Sequence, residues 1–560
     1  MKIIKYLTAY LLMTTLMLTA IVGCGNPKGQ EENTNPEDPL TTEEPVATEA
    51  PAVPTFDSER KELEIERNFL QYRLSEEDIA TFETQLLLCE QMLKDGVPYS
   101  DMEVEVQILE ELERGIRYQA IIAEIVYDCD TRNEEATENY LFSAEVASEI
   151  SAEKNLFLAE LYTSGKYDRY FDNCTDSVRK YYAFYSGETA ELEFRNAELR
   201  AEFNALQEEE FEEKIGKIYS ESINNYNEIA TESGFENYYE YATHILYKRE
   251  YGRAEREQLR QYVKKYIVPL YYLAYERYEE AYNEATEEDH NFINALLKDA
   301  YNSLKTDYVK AYLQVLPESC SMGMLRMFEE EAYVLSDNRD AWERAYTVFI
   351  GVPFCYFGPN YQQAFTIIHE LGHYYAYMNG SWSSFDLNET HSQGNEMLFL
   401  TYLGTVLEPE AYESLRTYQL YDSIRLILMA TIMDEFEETI YGLPGRADYT
   451  SEDFDEIMHN ILESYGLADD ENVRDYVEWL WRNVGIRNPV YYLNYATSAV
   501  VSLNLYSLSV EDYDAALEAY RIIQEEVDMN SNFIGTLEKA GMDSVFEEEA
   551  YIKLQKMFEE

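Results

Sequence analysis

A large, mainly α-helical body is the fold this sequence predicts, on three observations. Apolar residues recur at helical spacing over roughly the last 500 residues. Glycine is sparse, and six of the 14 prolines crowd between Gly25 and Phe56. One segment, Tyr346 to Phe357, reads as a short strand, a small β element beside a helix.

From the N-terminus, Lys2 and Lys5 precede an apolar run from Tyr6 to Val22 that ends in Ile21-Val22-Gly23-Cys24. That ending resembles a bacterial lipobox, so residues 1–23 are expected to be a lipoprotein signal peptide and Cys24 the lipidated first residue. An uncleaved anchor is the alternative, since the run is marginally long enough to span a bilayer. Either outcome places the remainder on the extracytoplasmic face of the cell membrane. Residues 24–57, rich in Pro, Thr, Glu and Asn, cannot build a packed core and form a tether. Two lobes are expected beyond it, an N-terminal helical lobe over 58–220 and a catalytic lobe over 221–560.

The catalytic lobe is so named for His369-Glu370-Leu371-Gly372-His373. On a helix this pattern sets two imidazoles one turn apart on one face with a carboxylate beside them, the donor arrangement of a zinc peptidase. Asn360 and Gln363 predict a capping-box start just after Pro359, and Gly380 a left-handed stop, giving a helix over Tyr361 to Asn379. Phe365, Ile368, Gly372, Tyr375 and Ala376 form its packed stripe and leave His369, Glu370 and His373 on an adjoining edge. Glu370 is too close in sequence to both histidines to be a third ligand. Its expected role is general base, taking a proton from a water that one Zn2+ ion acidifies.

The third ligand separates the zinc-peptidase classes. A metzincin needs a glycine at 376 and a histidine at 379, where this chain has Ala376 and Asn379. A thermolysin-like spacing puts the glutamate near 393, which is Gln393. Asp386, Glu389 and Glu396 are the acids left in reach. Glu396 lies well inside the next apolar-periodic segment, Glu389 to Gly404, a second helix with Asn388 as its expected cap.

The stretch Asp386-Leu387-Asn388-Glu389-Thr390-His391-Ser392-Gln393-Gly394-Asn395-Glu396 resembles the D-x-x-E-x-P-S-Q-x-x-E segment that follows the zinc helix in the thimet oligopeptidase and oligoendopeptidase F family. Read with its final glutamate as ligand, the resemblance makes His369, His373 and Glu396 the zinc ligands and Glu370 the general base. Glu389 is then a substitute ligand or a partner to one imidazole. His391 stands where the family has proline. Ser233-Gly234-Phe235-Glu236-Asn237-Tyr238 with Tyr241, and Tyr266-Ile267-Val268-Pro269-Leu270, resemble two further family segments. Asn488-Pro489-Val490-Tyr491-Tyr492-Leu493-Asn494-Tyr495-Ala496-Thr497-Ser498 resembles the tyrosine-rich helix that faces the metal, with Asn488 as cap and Pro489 at the first helical position. The likeness covers roughly residues 220 to 510. It implies a two-lobed helical metallopeptidase with a deep central channel that admits short, unstructured peptides.

Those tyrosines have a chemical reason to be there. Negative charge grows on a peptide carbonyl oxygen as water attacks, and a phenol O–H aimed from the opposite wall stabilises it. Tyr495 is the expected donor, with Tyr492 or Tyr491 assisting. The chain departs from the family in one respect: Trp481 to Asn488 contains no histidine, and Gly485 lies near the place where the family carries one.

Charge bounds the partners. With 44 basic against 108 acidic residues, a net charge of -64, the chain is unsuited to nucleic acid and repels anionic lipid, so membrane contact is expected through the N-terminal lipid only. Basic peptides are attracted. Cys89, Cys129, Cys174, Cys320 and Cys355 fall at irregular spacing and form neither a zinc cluster nor a redox motif. The expected activity is zinc-dependent cleavage of internal bonds in short peptides. The alternatives are a zinc carboxypeptidase or dipeptidase of related helical fold, and a lipoprotein that binds peptides without cutting them.

Overall fold

Ser75 and Asp78 cap each other reciprocally, and with them the described body begins. The computed structural model describes residues 73–559, apart from 205, 207, 298–302, 337, 382–384, 444–448 and 527–531. The expected signal peptide, Cys24 and the tether lie outside the described residues. Helix α1 (Glu76–Asp95) runs from that box to Gly96, whose φ of 66° supplies the left-handed stop. Helices α2 (Tyr99–Cys129) and α3 (Glu134–Thr163) pack against it and each other. Met102, Val106, Leu109 and Ile116 recur on the buried face of α2 at spacings of three, four and seven. Buried among them, Glu113 meets Lys154 at 3.3 Å, Arg117 at 2.9 Å and the Ser151 hydroxyl at 2.7 Å. The charge is therefore paired as well as buried, without which such a site would be strongly unfavourable. Helix α4 (Glu208–Glu232) spans the position near 220 at which the sequence divides the lobes. Helix α5 (Val268–Glu284) carries Pro269 in its first turn. No helix among the described residues is long and apolar enough to cross a membrane.

The β element is a three-stranded sheet in the order β1-β3-β2, formed by β1 (Tyr333–Leu335), β2 (Ala345–Phe349) and β3 (Pro353–Phe357). The expected single strand over Tyr346 to Phe357 is thus a hairpin. Gly351, at φ 90°, makes the turn that splits it. β1 runs parallel to the fully buried β3, and β2 runs antiparallel on its other side with Thr347 opposite Cys355. Among the described residues β2 has no strand on its outer edge. The sheet is fixed to α2: Arg344 reaches Glu124 at 2.7 Å and Asp128 at 2.6 Å, and the Tyr346 hydroxyl donates to Asp128 at 2.8 Å.

Helices α6 (Ala364–Asn379), α7 (Phe385–Leu403), α8 (Pro409–Tyr441), α9 (Leu493–Glu511) and α10 (Tyr513–Glu525) complete the framework of the site. α7 lies between α6 and α9, and α8 packs on α5 and α9. Although α7 is rich in polar residues, Asp386, Thr390, His391, Ser392 and Asn395 are all fully buried. Specific partners offset that burial. The Asn395 amide donates to the Ile368 carbonyl at 2.8 Å and accepts from the Tyr312 hydroxyl at 2.7 Å, while a His391 ring nitrogen meets the Ile523 carbonyl at 3.0 Å.

Candidate active site

Helix α6 starts at Ala364, three residues later than the caps predict. Asn360 adopts a left-handed φ of 65°, and Gln362 is buried with its amide donating to the Ser336 carbonyl at 3.0 Å. The approach is therefore tied to the end of β1 instead of continuing as helix. At the far end Gly380, φ 70°, provides the left-handed stop. Helix α7 begins at Phe385, a turn before the expected start at Glu389, so Asn388 sits inside the helix and does not cap it.

Gly372 decides how α6 and α7 meet. A Cβ there would lie 2.3 Å from the His391 carbonyl oxygen and 2.8 Å from Ser392 Cα, backbone that cannot yield. The two helices thus cross main chain to main chain between the histidines of one and the carboxylates of the other. His391, where the resembling family has proline, leaves α7 unbroken.

The crossing brings His369 and His373 together, with their Nε2 atoms 3.2 Å apart. Oε2 of Glu389 lies 3.8 Å from each. These three residues form a group whose ligand atoms all fall within 4.8 Å of one another. This corrects the expectation for Glu396. Its Oε1 sits 2.7 Å from Nδ1 of His369, on the opposite side of the ring from Glu389. Nδ1 is thereby taken up by Glu396, and Nε2 is the nitrogen that faces His373 and Glu389. Glu396 orients an imidazole, and Glu389 completes the cluster.

The donor set fits zinc. Two ligands of a tetrahedral zinc, each about 2.0–2.1 Å from it, lie about 3.3 Å apart, close to the separation of the two Nε2 atoms. Burial drives His373 well below the usual histidine range, keeping it neutral. Burial opposes charge on His369 too, but the bond to Glu396 and the surrounding carboxylates raise it to about 9. Burial lifts Glu370 to about 7 against the pull of His369 and a hydrogen bond from Thr347. It raises Glu389 as well. Burial thus disfavours charge on Glu370 and Glu389, and a divalent cation beside them would favour their ionised forms.

A cavity of about 220 Å³ opens over this cluster, lined by Ala345, Tyr346 and Thr347 of β2, by His369, Glu370, His373 and Tyr377 of α6, and by Phe385, Asn388, Glu389, Tyr491 and Tyr495. The Glu370 carboxylate accepts from the Thr347 hydroxyl at 2.6 Å. The Tyr491 hydroxyl donates to Oε1 of Glu389. Tyr495 stands beside it, ring centroids 5.3 Å apart. Tyr492 packs on Tyr495 but does not line the cavity, and burial, with Tyr476 and Glu437 adding, pushes its hydroxyl above the usual tyrosine range.

The segment that presents these tyrosines is not the expected helix start. Helix α9 begins at Leu493, and Val490 takes a left-handed φ of 63°, an outlier for a β-branched residue. Three buried partners hold it there. The Val490 amide donates to Glu437 at 2.7 Å, its carbonyl accepts from Arg249 at 3.0 Å, and the Pro489 carbonyl accepts from Tyr247 at 2.7 Å. Gly485, near the place of the family's histidine, is packed so that a Cβ would meet the Tyr219 hydroxyl at 2.5 Å. A larger residue there would have to displace the Tyr219 side chain. Asp386 joins α7 to α9 by accepting from Thr497, and from Tyr251 at 2.9 Å.

Sequence reading missed Thr347 and Tyr377 and gave Asn388 only a capping role, although all three line the cavity. Only the position of Thr347 in the expected strand hinted at it, since its contact with Glu370 spans 23 residues.

No family profile matches the sequence, and no curated protein does. Solved structures do match its fold. A Pz peptidase A solved with an inhibitor superposes with a TM-score of 0.69 at 16% identity, over 88% of this chain and 99% of that one. A Bacillus anthracis protein provisionally assigned as an oligoendopeptidase F gives 0.68 at 16%, over 87% and 97%. The oligoendopeptidase F of Enterococcus faecium gives 0.52 at 16%, over 86% and 96%. At that identity the likeness is one of architecture, and the chain has the mainly α-helical fold of the oligoendopeptidase F and Pz peptidase structures.

Proposed function

We propose that this protein is a zinc-dependent oligoendopeptidase that hydrolyses internal bonds of short, unstructured peptides. The observation that carries the reading is the convergence of His369 Nε2, His373 Nε2 and Glu389 Oε2 beside the Glu370 carboxylate, in one cavity.

His369, His373 and Glu389 would hold the ion. When bound, zinc supplies Lewis acidity toward the peptide carbonyl and acidifies water. Glu370 takes a proton from the attacking water and passes it to the leaving amine, which suits a carboxylate raised to about 7. Tyr495, which lines the same cavity, donates to the carbonyl oxygen as charge develops on it. Tyr491 is engaged with Glu389 and serves the ligand rather than the substrate. The open edge of β2 pairs with the backbone of an extended peptide, and the net charge of -64 favours basic ones. We further propose that Cys24 carries a lipid that anchors the chain outside the cytoplasmic membrane, with residues 24–57 as tether.

Mass spectrometry of an end-blocked peptide library tests the activity. Internal cleavage by the wild type, lost in Glu370→Gln with zinc and fold retained, supports the reading. Cleavage of free-ended peptides alone would show an exopeptidase, and binding without cleavage a peptide-binding lipoprotein.

A further inference from the structure

Thr347 stands where the substrate edge and the general base meet. The paired contacts Ile350 N–H to Val352 O and Gly358 N–H to Arg344 O fix the alternation of the β2–β3 ladder. In an antiparallel pair, hydrogen-bonded and non-hydrogen-bonded positions alternate. Thr347 and its partner Cys355 therefore form a non-hydrogen-bonded pair, and the backbone N–H and C=O of Thr347 face the open edge. Its side chain stands off the face of the sheet, toward α6. There the hydroxyl donates to Oε2 of Glu370 at 2.6 Å and lies 3.2 Å from the Cys355 sulfur. A hydroxyl has one proton. The short contact assigns it to the carboxylate, leaving the oxygen to accept from the Cys355 thiol.

No other hydrogen bond to the Glu370 carboxylate is made among the described residues, so this bond alone orients a side chain with three rotatable torsions. We infer that Thr347 is a positioning residue that couples substrate to base: the residue whose main chain pairs with the peptide is the one whose hydroxyl aims Glu370 at the reacting water. The assignment rests on Glu370 acting as the base. β2 is itself held by Arg344 and Tyr346 to Asp128 of α2, so the edge and the hydroxyl move as one piece. An ångström of misplacement at a reacting group costs on the order of 100-fold in rate.

Thr347→Val keeps the shape and the strand preference and removes only the hydroxyl. With wild-type turnover of an end-blocked peptide as reference, the expected result is a fall in kcat of about 10- to 100-fold, with KM within about twofold and zinc content unchanged. Thr347→Ser should recover most of kcat. An unchanged kcat in Thr347→Val, a change confined to KM, or a serine variant no better than valine would each overturn the role. A wild type that turns over no peptide removes the peptidase reading, and this role with it. A wild type that is active beside an equally active Thr347→Val removes this role alone.

Discussion

The Tyr491 hydroxyl donates to one oxygen of Glu389 while the other oxygen lies 3.8 Å from Nε2 of both His369 and His373. One carboxylate is thereby held by a phenol on one side and presented to two imidazoles on the other. Partners of this kind set the affinity of metal ligands through their orientation. Tyr491→Phe should weaken zinc binding by about 10- to 100-fold with the fold intact. Competition against a chromophoric chelator measures it, and wild-type affinity in the variant would show that the phenol does not orient the ligand.

Gly372 is required by contact, not by conformation. Its missing Cβ leaves room for the His391 carbonyl and Ser392 Cα of α7, and a methyl group would push the two helices apart. Gly372→Ala should cost about 1–3 kcal/mol of stability. It should also weaken zinc binding, because the crossing sets the distance from Glu389 to both rings. Thermal unfolding with zinc titration checks both effects, and a variant unchanged in both contradicts the crossing.

Glu437 ties stability to pH. It is buried, and burial pushes its carboxyl well above the usual range, with Asp434 adding and the Val490 amide and Arg249 opposing. A carboxyl raised in the folded state binds its proton there at pH values where the unfolded chain has released it. The contribution is full below the ordinary value of 4.5 and is lost as pH climbs through the folded value. Glu437→Gln can still accept from Val490 and has no proton to lose. Its melting temperature relative to wild type should therefore rise between about pH 5 and about pH 8. A difference constant with pH would contradict the account.

Local chemistry was legible in the sequence where it depends on neighbours in the chain. The spacing of His369 and His373, the stop at Gly380 and the helical periodicity all belong to that class. Which carboxylate joins the two imidazoles does not. Glu389 and Glu396 are seven residues apart, two turns of α7, and so share a face. Nothing within the helix distinguishes them. The crossing at Gly372 does, by placing Glu389 at the Nε2 side of His369 and Glu396 at the Nδ1 side. Val490 escaped for a similar reason: its left-handed φ is imposed by Glu437, Arg249 and Tyr247, 53 or more residues away in sequence. The Asn360 and Asn488 caps fail because buried tertiary bonds hold the segments that follow them out of the helix.

The cluster of His369, His373 and Glu389 is tested most directly by zinc stoichiometry in two paired variants. Elemental analysis after dialysis against limiting zinc should find one equivalent in the wild type, almost none in Glu389→Gln, and one weakly held equivalent in Glu396→Gln. A full equivalent in Glu389→Gln, with none in Glu396→Gln, would contradict the account.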